Sequence, residues 1–410
     1  MRCLDKWGNT MDEISYKEAL ILVKKYAKTS QNDRDTLRRQ RLYSMVTYAR
    51  EQSEVYREHY ANLPVNFLLR DLPPISMDKL RGNEEKWLCR DIVENEISMA
   101  INSVRCFPEE KYLRAFTLKG SRAVIISANE DSAFLASWRK TTTVLSVFSP
   151  IEEIVAALNE IKPAYLWAYP STLEKLIDCW ELYKLNMHPV LIIAGGEPLS
   201  DELREKLTLT FDCKVCNSYS SREAGVIAYE CSEGHLHVND DWVIVEPIDA
   251  GGRIVPDGIL SDKVLLTNLY KTDRPAIRMM VNDHVIMHSE GCACGNPSPW
   301  LTVQAGVDEY ISFNSPGGEI KIAFTDFNEV FEGTKGLLGY QLVFYAGNNI
   351  SVRLDVKEGV SKSLVFLKLE SKLRGFFRSL GLTMGAITID EDGTLLDKDN
   401  GKFKNVLDLR

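Results

Sequence analysis

Three cysteines and two histidines form the clearest group of potential metal ligands in the sequence. Cys231 begins a short segment that also contains His235 and His237, and Cys292 and Cys294 follow further along the chain, separated by one alanine. Three thiolates and one imidazole would complete a tetrahedral zinc site of structural type, with no open position for catalysis. We predict Cys231, His237, Cys292 and Cys294 as Zn²⁺ ligands, with His235 as the alternative histidine. Reduced cysteines beside a strand histidine are the simpler explanation.

A glycine pair follows a predicted buried strand. Gly195, Gly196 and Glu197 lie between the strand at 190–194 and a helix that Ser200 is predicted to cap. Glycines let a ligand approach the backbone, and free amides at a helix start attract anions or the polar edge of a heterocycle. Most turns of this composition have only a structural role.

The next predicted strand ends in a polar cluster. Tyr219 could stack on a flat purine, and Glu223 could bind Mg²⁺ through its carboxylate. Ser221 or Arg222 could reach phosphate, and Ser220 completes the polar run. A capped helix start with an exposed glutamate is the simpler interpretation.

Two further residues have side chains suited to a nucleotide site. Asp283 follows a predicted strand, where a carboxylate can accept both hydroxyls of a ribose, although a turn aspartate is the simpler alternative. Lys402 lies on a glycine-containing turn near the C-terminus, where a lysine is usually solvated. If a mobile domain carried it into an active site, its ammonium would stabilise developing negative charge.

The elements that must position these residues alternate between strand and helix. Short apolar runs separated by helical segments predict strands at 123–127, 165–168, 190–194 and 213–218. This alternation predicts an α/β fold with a doubly wound parallel sheet, whose ligands bind beyond the carboxyl ends of the strands. Residues 240–330 predict a strand-rich subdomain. A β-β-α-β pattern after Gly306 predicts a small, mobile C-terminal α+β lid, giving domains 1–306 and 307–410.

Composition narrows the class of protein. The chain has 410 residues, with 49 basic and 58 acidic side chains, a formal charge of −9 and 45% hydrophobic residues, which argues against disorder. It has no clustered basic face for nucleic acid and no apolar run of the roughly 18–20 residues that a membrane span needs. The charged N-terminus lacks a signal-peptide core, and nine cysteines fit a reducing compartment. We therefore expect a cytoplasmic protein with no nucleic-acid or membrane partner.

The order of these features resembles that of the adenylate-forming superfamily, in the branch of phenylacetate–CoA ligases, capsular-polysaccharide ligase-like proteins and deazaflavin-coenzyme synthetases. The resemblance covers most of the chain. Its matching motifs are Leu37–Arg41, Ser53, Tyr56-Arg57, Gly196–Leu199, Tyr219 to Glu223, Leu236–Val238, Val245-Glu246, Thr267–Leu269, Ile277-Arg278, Gly306–Glu309 and Gly401-Lys402.

The resemblance implies a two-step reaction. A small carboxylic acid, for example an aromatic one, attacks the α-phosphate of Mg·ATP, pyrophosphate leaves, and a thiol of CoA or a carrier protein, or an amine, captures the acyl-AMP. By position, Asp308 would mark the hinge about which the lid moves. The implied catalytic residues are Lys402, Glu223 and Arg222. The implied nucleotide-binding residues are Gly195, Gly196, Glu197, Tyr219, Ser220, Ser221, Asp283, Lys119 and Gly120.

The segment that matches the phosphate loop of the family departs from its pattern. That loop is rich in Ser, Thr and Gly, whereas residues 116–122 contain one glycine, Gly120, and Leu118 replaces a small residue. Arg222 stands where the family has a hydroxyl, and Val307 stands where it has an arginine. Two alternatives therefore accompany the ligase hypothesis: a catalytically impaired homologue that binds nucleotide or acyl groups, and a zinc-organised interaction protein. A homodimer is among the assembly states that the sequence allows.

Overall fold

A computed structural model describes residues 16–89, 101, 104–116, 121–128, 142–182, 184–221, 223–304, 310–315, 317–398 and 401–410. The chain divides into two compact units, Met1–Gln304 and Ala305–Arg410. The predicted hinge at 306–309 lies outside the described ranges. Among the described helices, none offers the length of apolar sequence that a bilayer crossing requires.

The first unit combines nine described helices with thirteen strands. The helices are α1 (Tyr16–Ala27), α2 (Gln31–Gln52), α3 (Glu54–His59), α4 (Met77–Arg81), α5 (Glu84–Trp87), α6 (Glu110–Phe116), α7 (Ile151–Ile161), α8 (Pro170–Glu181) and α9 (Asp201–Phe211). The strands are β1 (Ile75–Ser76), β2 (Ala123–Ser127), β3 (Thr142–Ser146), β4 (Tyr165–Ala168), β5 (Leu191–Gly195), β6 (Lys214–Ser221), β7 (Gly225–Glu230), β8 (Leu236–Val238), β9 (Val243–Ile248), β10 (Lys263–Asn268), β11 (Met279–Val281), β12 (His284–His288) and β13 (Trp300–Gln304).

The main sheet has a parallel and an antiparallel half. Its nine strands lie in the order β12-β13-β8-β7-β6-β5-β4-β2-β3. Neighbours from β3 to β6 are parallel, and helices α7, α8 and α9 provide crossovers between successive strands. Neighbours from β6 to β12 are antiparallel. Every residue of the central strand β5 is buried, as its continuous apolar run indicates. The predicted α/β fold is confirmed.

A second sheet has four strands in the order β1-β11-β10-β9. Strands β9, β10 and β11 belong to the region that the sequence predicts to be rich in strands. A buried ion pair ties this sheet to the preceding helical segment. Arg278 donates from Nε and Nη2 to the two carboxylate oxygens of Glu246, at 3.0 and 3.1 Å, and from Nη1 to the carbonyl oxygen of Leu72 at 2.6 Å. Both side chains are nearly inaccessible to solvent, so each charge needs a partner, and each side chain supplies the countercharge of the other.

Two arginines, Arg41 of helix α2 and Arg105, meet at one acidic turn. The guanidinium of Arg41 lies 3.3 Å from the ring centroid of Trp242 and donates to the backbone oxygen of Asp241 at 2.5 Å. The buried Arg105 pairs with the carboxylate of the same Asp241, with one bond of 3.1 Å. The Leu37–Arg41 motif therefore contributes a structural contact, since it docks a surface helix on the turn before β9.

The second unit has an apolar core that contains a cluster of aromatic side chains. Its elements are β14 (Tyr310–Ser315), β15 (Gly318–Ala323), α10 (Asp326–Phe331), β16 (Leu337–Tyr345), β17 (Asn349–Val356), α11 (Lys362–Ser379), β18 (Ile387–Asp390) and β19 (Val406–Asp408). A sheet of order β18-β17-β16-β19 packs against α11 through Phe344 and Phe377, and Phe327 of α10 completes the cluster. The lid function of this unit stays a prediction.

Truncation of the aromatic core should destabilise the second unit strongly. We expect Phe377→Ala, at a fully buried position, to lower the free energy of unfolding by about 3–5 kcal/mol because it removes apolar contacts and leaves a cavity. The control is Leu367→Ala on the same helix, where the side chain is 60% exposed, and its effect should stay within about 0.5 kcal/mol. Urea unfolding measures both values, and equal effects would contradict the packing described here.

Candidate active site and metal cluster

The glycine pair lies at the carboxyl end of β5, where two aromatic side chains leave no room for a larger residue. A Cβ atom on Gly195 would lie 2.9 Å from Nε1 of Trp167, and one on Gly196 would collide with the ring of Tyr169. Gly196 also has a φ of +84°, in the region that disfavours L side chains. The pair is therefore required by the backbone conformation at Gly196 and by the packing of Trp167 and Tyr169 at this end of the sheet.

Glu197 is fixed by a hydrogen-bonded contact with helix α8. Its carboxylate accepts from the backbone amide of Ser171 at 2.9 Å and from the hydroxyl of Ser171 at 3.0 Å. An acidic group at this position satisfies free amides in the first turn of the helix. Glu197 thus ties the glycine loop to the element that follows β4.

The polar cluster of β6 leads into a hairpin and not into a helix. β6 extends to Ser221, whose hydroxyl accepts from the amide of Ala224 at 3.0 Å, and the chain returns as the antiparallel strand β7. The register shifts between Tyr219 and Ser220, which marks an irregularity of the kind that often re-aims side chains next to functional sites. Since Gly195 pairs with Ser218, the cluster and the glycine loop share one end of the sheet.

Tyr219 and Asp283 are in direct contact. The phenol donates to Oδ2 of Asp283 at 2.5 Å, which joins β6 to the connection between β11 and β12. Burial raises the pKa of Tyr219, and the negative charge of Asp283 raises it further. The phenol therefore remains a hydrogen-bond donor across the physiological range, and the orientation of the carboxylate is set by that donor.

Glu223 lies in the turn after β6 with its side chain almost inaccessible. Its carboxylate forms an ion pair of 3.6 Å with Arg81 of α4. The sequence pattern pointed to Glu223 but did not single out Arg81. Arg222, Lys119 and Gly120 lie outside the described residues, so their predicted roles stay predictions.

Lys402 belongs to the second unit. It follows Gly401, which has a φ of +67°, and its backbone oxygen accepts from the amide of Asp397 at 2.9 Å. The side chain is half-buried. The hydrogen bond links the backbone of Lys402 to that of Asp397, and the role of Lys402 in catalysis stays a prediction.

The structure brings the four predicted metal ligands together. The ligand atoms of Cys231, His237, Cys292 and Cys294 all lie within 4.8 Å of one another. Sγ of Cys231 is 3.8 Å from Sγ of Cys292, and Sγ of Cys294 is 3.3 Å from Nε2 of His237. Tetrahedral bonds of about 2.0–2.3 Å to zinc place neighbouring ligand atoms roughly 3.5–3.8 Å apart, close to these separations.

Hydrogen bonding distinguishes the two candidate histidines. Nδ1 of His237 lies 2.8 Å from the carbonyl oxygen of Ser298, a pairing that requires the proton on Nδ1 and leaves the Nε2 lone pair towards the sulfurs. His235 stacks on Trp300 at 4.0 Å and reaches Sγ of Cys292 with Nδ1 at 3.3 Å. The geometry therefore favours His237 as ligand and leaves His235 beside the cluster.

Burial favours the protonated form of two thiols of the cluster, those of Cys231 and Cys294. It raises the pKa of Cys231, and it raises the pKa of Cys294 to about 12. Burial also lowers the pKa of His237, so its imidazole is neutral and available as a ligand. Metal binding at this cluster must therefore release protons.

Comparison with known proteins places this arrangement in a known fold. The chain is similar to 2-hydroxyisobutyryl-CoA ligase in the postadenylation state in complex with R3-HIB-AMP, with a TM-score of 0.64, 17% identity and coverage of 93% of this chain and 91% of that one. The same enzyme in complex with 2-HIB-AMP and CoA in the thioesterification state gives a TM-score of 0.59, 17% identity and coverage of 93% and 90%. The chain has the adenylate-forming ligase fold.

Sequence comparison is consistent with this fold. Protein CapK of Staphylococcus aureus is 22% identical over 297 residues, which cover 63% of this chain and 64% of the relative. The chain thus matches less than two thirds of the length of that relative. No protein-family model matches it. The fold that the resemblance implied is confirmed by the structures of 2-hydroxyisobutyryl-CoA ligase.

Two residues at the ligand edge were missed in the sequence, although one signal was present. Trp167 and Tyr169 flank the carboxyl end of β4, and aromatic residues at the end of a parallel strand are candidates for a ligand wall. Their contacts with the glycine pair depend on the parallel register of β4 and β5, which local sequence does not specify.

A substitution at Gly196 should separate steric conflict from backbone strain. Gly252 is a matched control, because its φ is +78° but no atom lies within 4 Å of the position of a Cβ. We expect Gly252→Ala to lower the free energy of unfolding by about 1 kcal/mol, from the left-handed conformation alone. Gly196→Ala should cost at least about 2 kcal/mol more, because Tyr169 must also move. Urea unfolding measures both, and equal losses would contradict the close packing of Tyr169.

Proposed function

We propose that this chain is an ATP-dependent ligase that activates a small carboxylic acid as acyl-AMP with release of pyrophosphate. The observation that carries the proposal is the contact between Tyr219 and Asp283 at the sheet end where the glycine loop and Glu223 also lie. The fold supports the same reaction class, since 2-hydroxyisobutyryl-CoA ligase with this fold holds an acyl-AMP.

The nucleoside part of ATP is assigned to the first unit. The ring of Tyr219 is tethered through its hydroxyl, which fixes the plane on which an adenine would stack at little entropic cost. Asp283 uses one oxygen for that phenol and retains acceptor capacity for the ribose hydroxyls. Gly195, Gly196 and Glu197 are proposed to line the base, and Ser220 and Ser221 lie at the same end of the sheet.

The phosphates are assigned to charged groups around Glu223. This buried carboxylate is an oxygen ligand suited to Mg²⁺, which would supply charge neutralisation on the phosphates when bound. Arg222, Lys119 and Gly120 are proposed to contact the phosphates. An oxygen of the carboxylic acid attacks the α-phosphorus, and the bond to the pyrophosphate oxygen breaks.

Lys402 is proposed as the cation that stabilises charge at the α-phosphate during adenylation. The second unit, residues 305–410, would carry it to the site as a mobile lid. The acceptor is proposed to be a thiol, of CoA or a carrier protein, or an amine. An aromatic acid is the first candidate, because the aromatic side chains of Trp167 and Tyr169 lie beside the glycine loop.

Pyrophosphate release tests the proposed reaction. With Mg·ATP and a panel of aryl and aliphatic acids, we expect acid-dependent release that Lys402→Ala lowers by roughly 10²–10³-fold, the loss typical of a deleted charge-stabilising group. Lys404→Ala is the control, since this exposed lysine lies on the same tail, and it should retain activity. Release that Lys402→Ala leaves unchanged would refute the assigned role.

The segment matching the phosphate loop favours one alternative, a protein that binds nucleotide or acyl groups without turnover. It has a single glycine, Gly120, and therefore lacks most of the small residues that let successive backbone amides wrap phosphates. ATP binding without pyrophosphate release across the acid panel would support this binder. A zinc-organised interaction protein would neither bind ATP nor release pyrophosphate, and it would unfold when a chelator removes the zinc.

We further propose that Cys231, His237, Cys292 and Cys294 hold a structural Zn²⁺. The donor set fits zinc, because three thiolates and one imidazole fill a tetrahedral shell. The ligands come from the turn after β7, from β8 and from the connection between β12 and β13. The metal would therefore tie together strands of the antiparallel half of the main sheet.

Metal analysis of the purified protein tests this site. We expect about one zinc per chain, lost in Cys294→Ser and in His237→Asn but retained in His235→Asn. Cys179→Ser is the matched control, since this cysteine is half-buried and outside the cluster. Loss of zinc should also lower the melting temperature, because metal binding contributes folding free energy. A wild-type protein without zinc would end the proposal.

A further inference from the structure

Glu223 forms an ion pair through its carboxylate with the guanidinium of Arg81. Its carboxylate is 9% exposed, and the guanidinium of Arg81 lies 3.6 Å from Oε1. A buried carboxylate without a countercharge is strongly destabilised, so a nearby cation stabilises the ionised form. Arg81 therefore supplies positive charge beside the carboxylate that is proposed to bind Mg²⁺.

The fold explains how Arg81 reaches this position. It is the last residue of α4, and α4 directly follows β1. β1 pairs in parallel with β11, with Ile75 opposite Met279 and Ser76 opposite Met280, and β11 leads to Asp283. The hydroxyl of Ser76 caps the helix by accepting from the amide of Lys79 at 3.3 Å. Helix α4 thus starts beside the strand that delivers the ribose-binding carboxylate.

The two partners of the ion pair between Arg81 and Glu223 differ in solvent exposure. The side chain of Arg81 is 67% exposed, whereas that of Glu223 is held in the turn after β6. Ion pairs with an exposed partner contribute little, equivalent to at most about a fivefold change in an equilibrium constant. A divalent cation with phosphate oxygens as further ligands can therefore displace the guanidinium, while the carboxylate stays in place.

We propose that Arg81 and Mg²⁺ compete for the carboxylate of Glu223. Arg81 is a positioning residue that holds the carboxylate of Glu223 in place in the metal-free site and moves into solvent when Mg·ATP binds. This inference rests on the proposed function, because it concerns the metal that accompanies ATP. It assigns a role to α4, which the sequence motifs did not connect with the site.

Calorimetric titration with ATP tests the competition in a double-mutant cycle of Arg81→Ala and Glu223→Gln. In the presence of Mg²⁺, we expect Arg81→Ala to bind ATP about two- to fivefold more tightly than the wild type, because no ion pair must be broken. In EDTA the gain should vanish. In the Glu223→Gln background, Arg81→Ala should have no effect in either buffer, an outcome that a merely structural role would not produce.

Lys79→Ala is the matched control, because it removes a positive charge from an exposed position on the same helix without touching Glu223. Its ATP affinity should equal that of the wild type. Unchanged or weaker binding by Arg81→Ala in Mg²⁺, while the wild type binds ATP, would overturn this inference alone. Failure of both the wild type and Arg81→Ala to bind ATP would overturn the proposed function with it. Binding by Arg81→Ala where the wild type shows none would be the strongest support.

Discussion

The hydrogen bond between Tyr219 and Asp283 is the interaction on which the candidate site depends. Asp283 lies where the chain leaves the four-stranded sheet through β11 and enters the nine-stranded sheet at β12, and Tyr219 lies near the end of β6. The bond therefore links β6 of the nine-stranded sheet to the connection between the two sheets, at the edge proposed for the nucleotide. The proposed stacking plane for adenine and the proposed carboxylate for ribose are positioned by the same contact.

Local sequence predicted the parallel half of the main sheet well. Buried apolar runs marked β2, β4 and β5 nearly to the residue, because strands covered on both faces are continuously apolar. The hairpin from β6 to β7 was not anticipated, since polar residues before a turn are compatible with either a helix start or a strand end. Residues Tyr219 and Asp283 were both selected, but their contact follows from long-range strand register that no local pattern contains.

The metal cluster and the ion pair at Glu223 show the two limits of prediction from sequence. The cysteines and His237 could be selected from the sequence because thiolates and imidazoles are the ligands that zinc prefers. A shared metal would require their side chains to be close, and the structure brings them together. The choice between His235 and His237 needed the hydrogen bond from His237 to Ser298. Arg81 could not be selected, because an arginine at the end of a short helix has many ordinary roles and only the pairing of β1 with β11 places it near Glu223.

Calorimetry with Mg·ATP and a variant of Asp283 tests whether this sheet edge binds the nucleotide. We expect one ATP per chain for the wild type and at least tenfold weaker binding for Asp283→Ala, since both the proposed ribose acceptor and the anchor of Tyr219 are lost. Asp262→Ala, at an exposed position of the same unit, should bind as the wild type does. A wild type that binds no ATP, or an Asp283→Ala protein that binds it equally well, would contradict the assignment of this sheet edge as the nucleotide site.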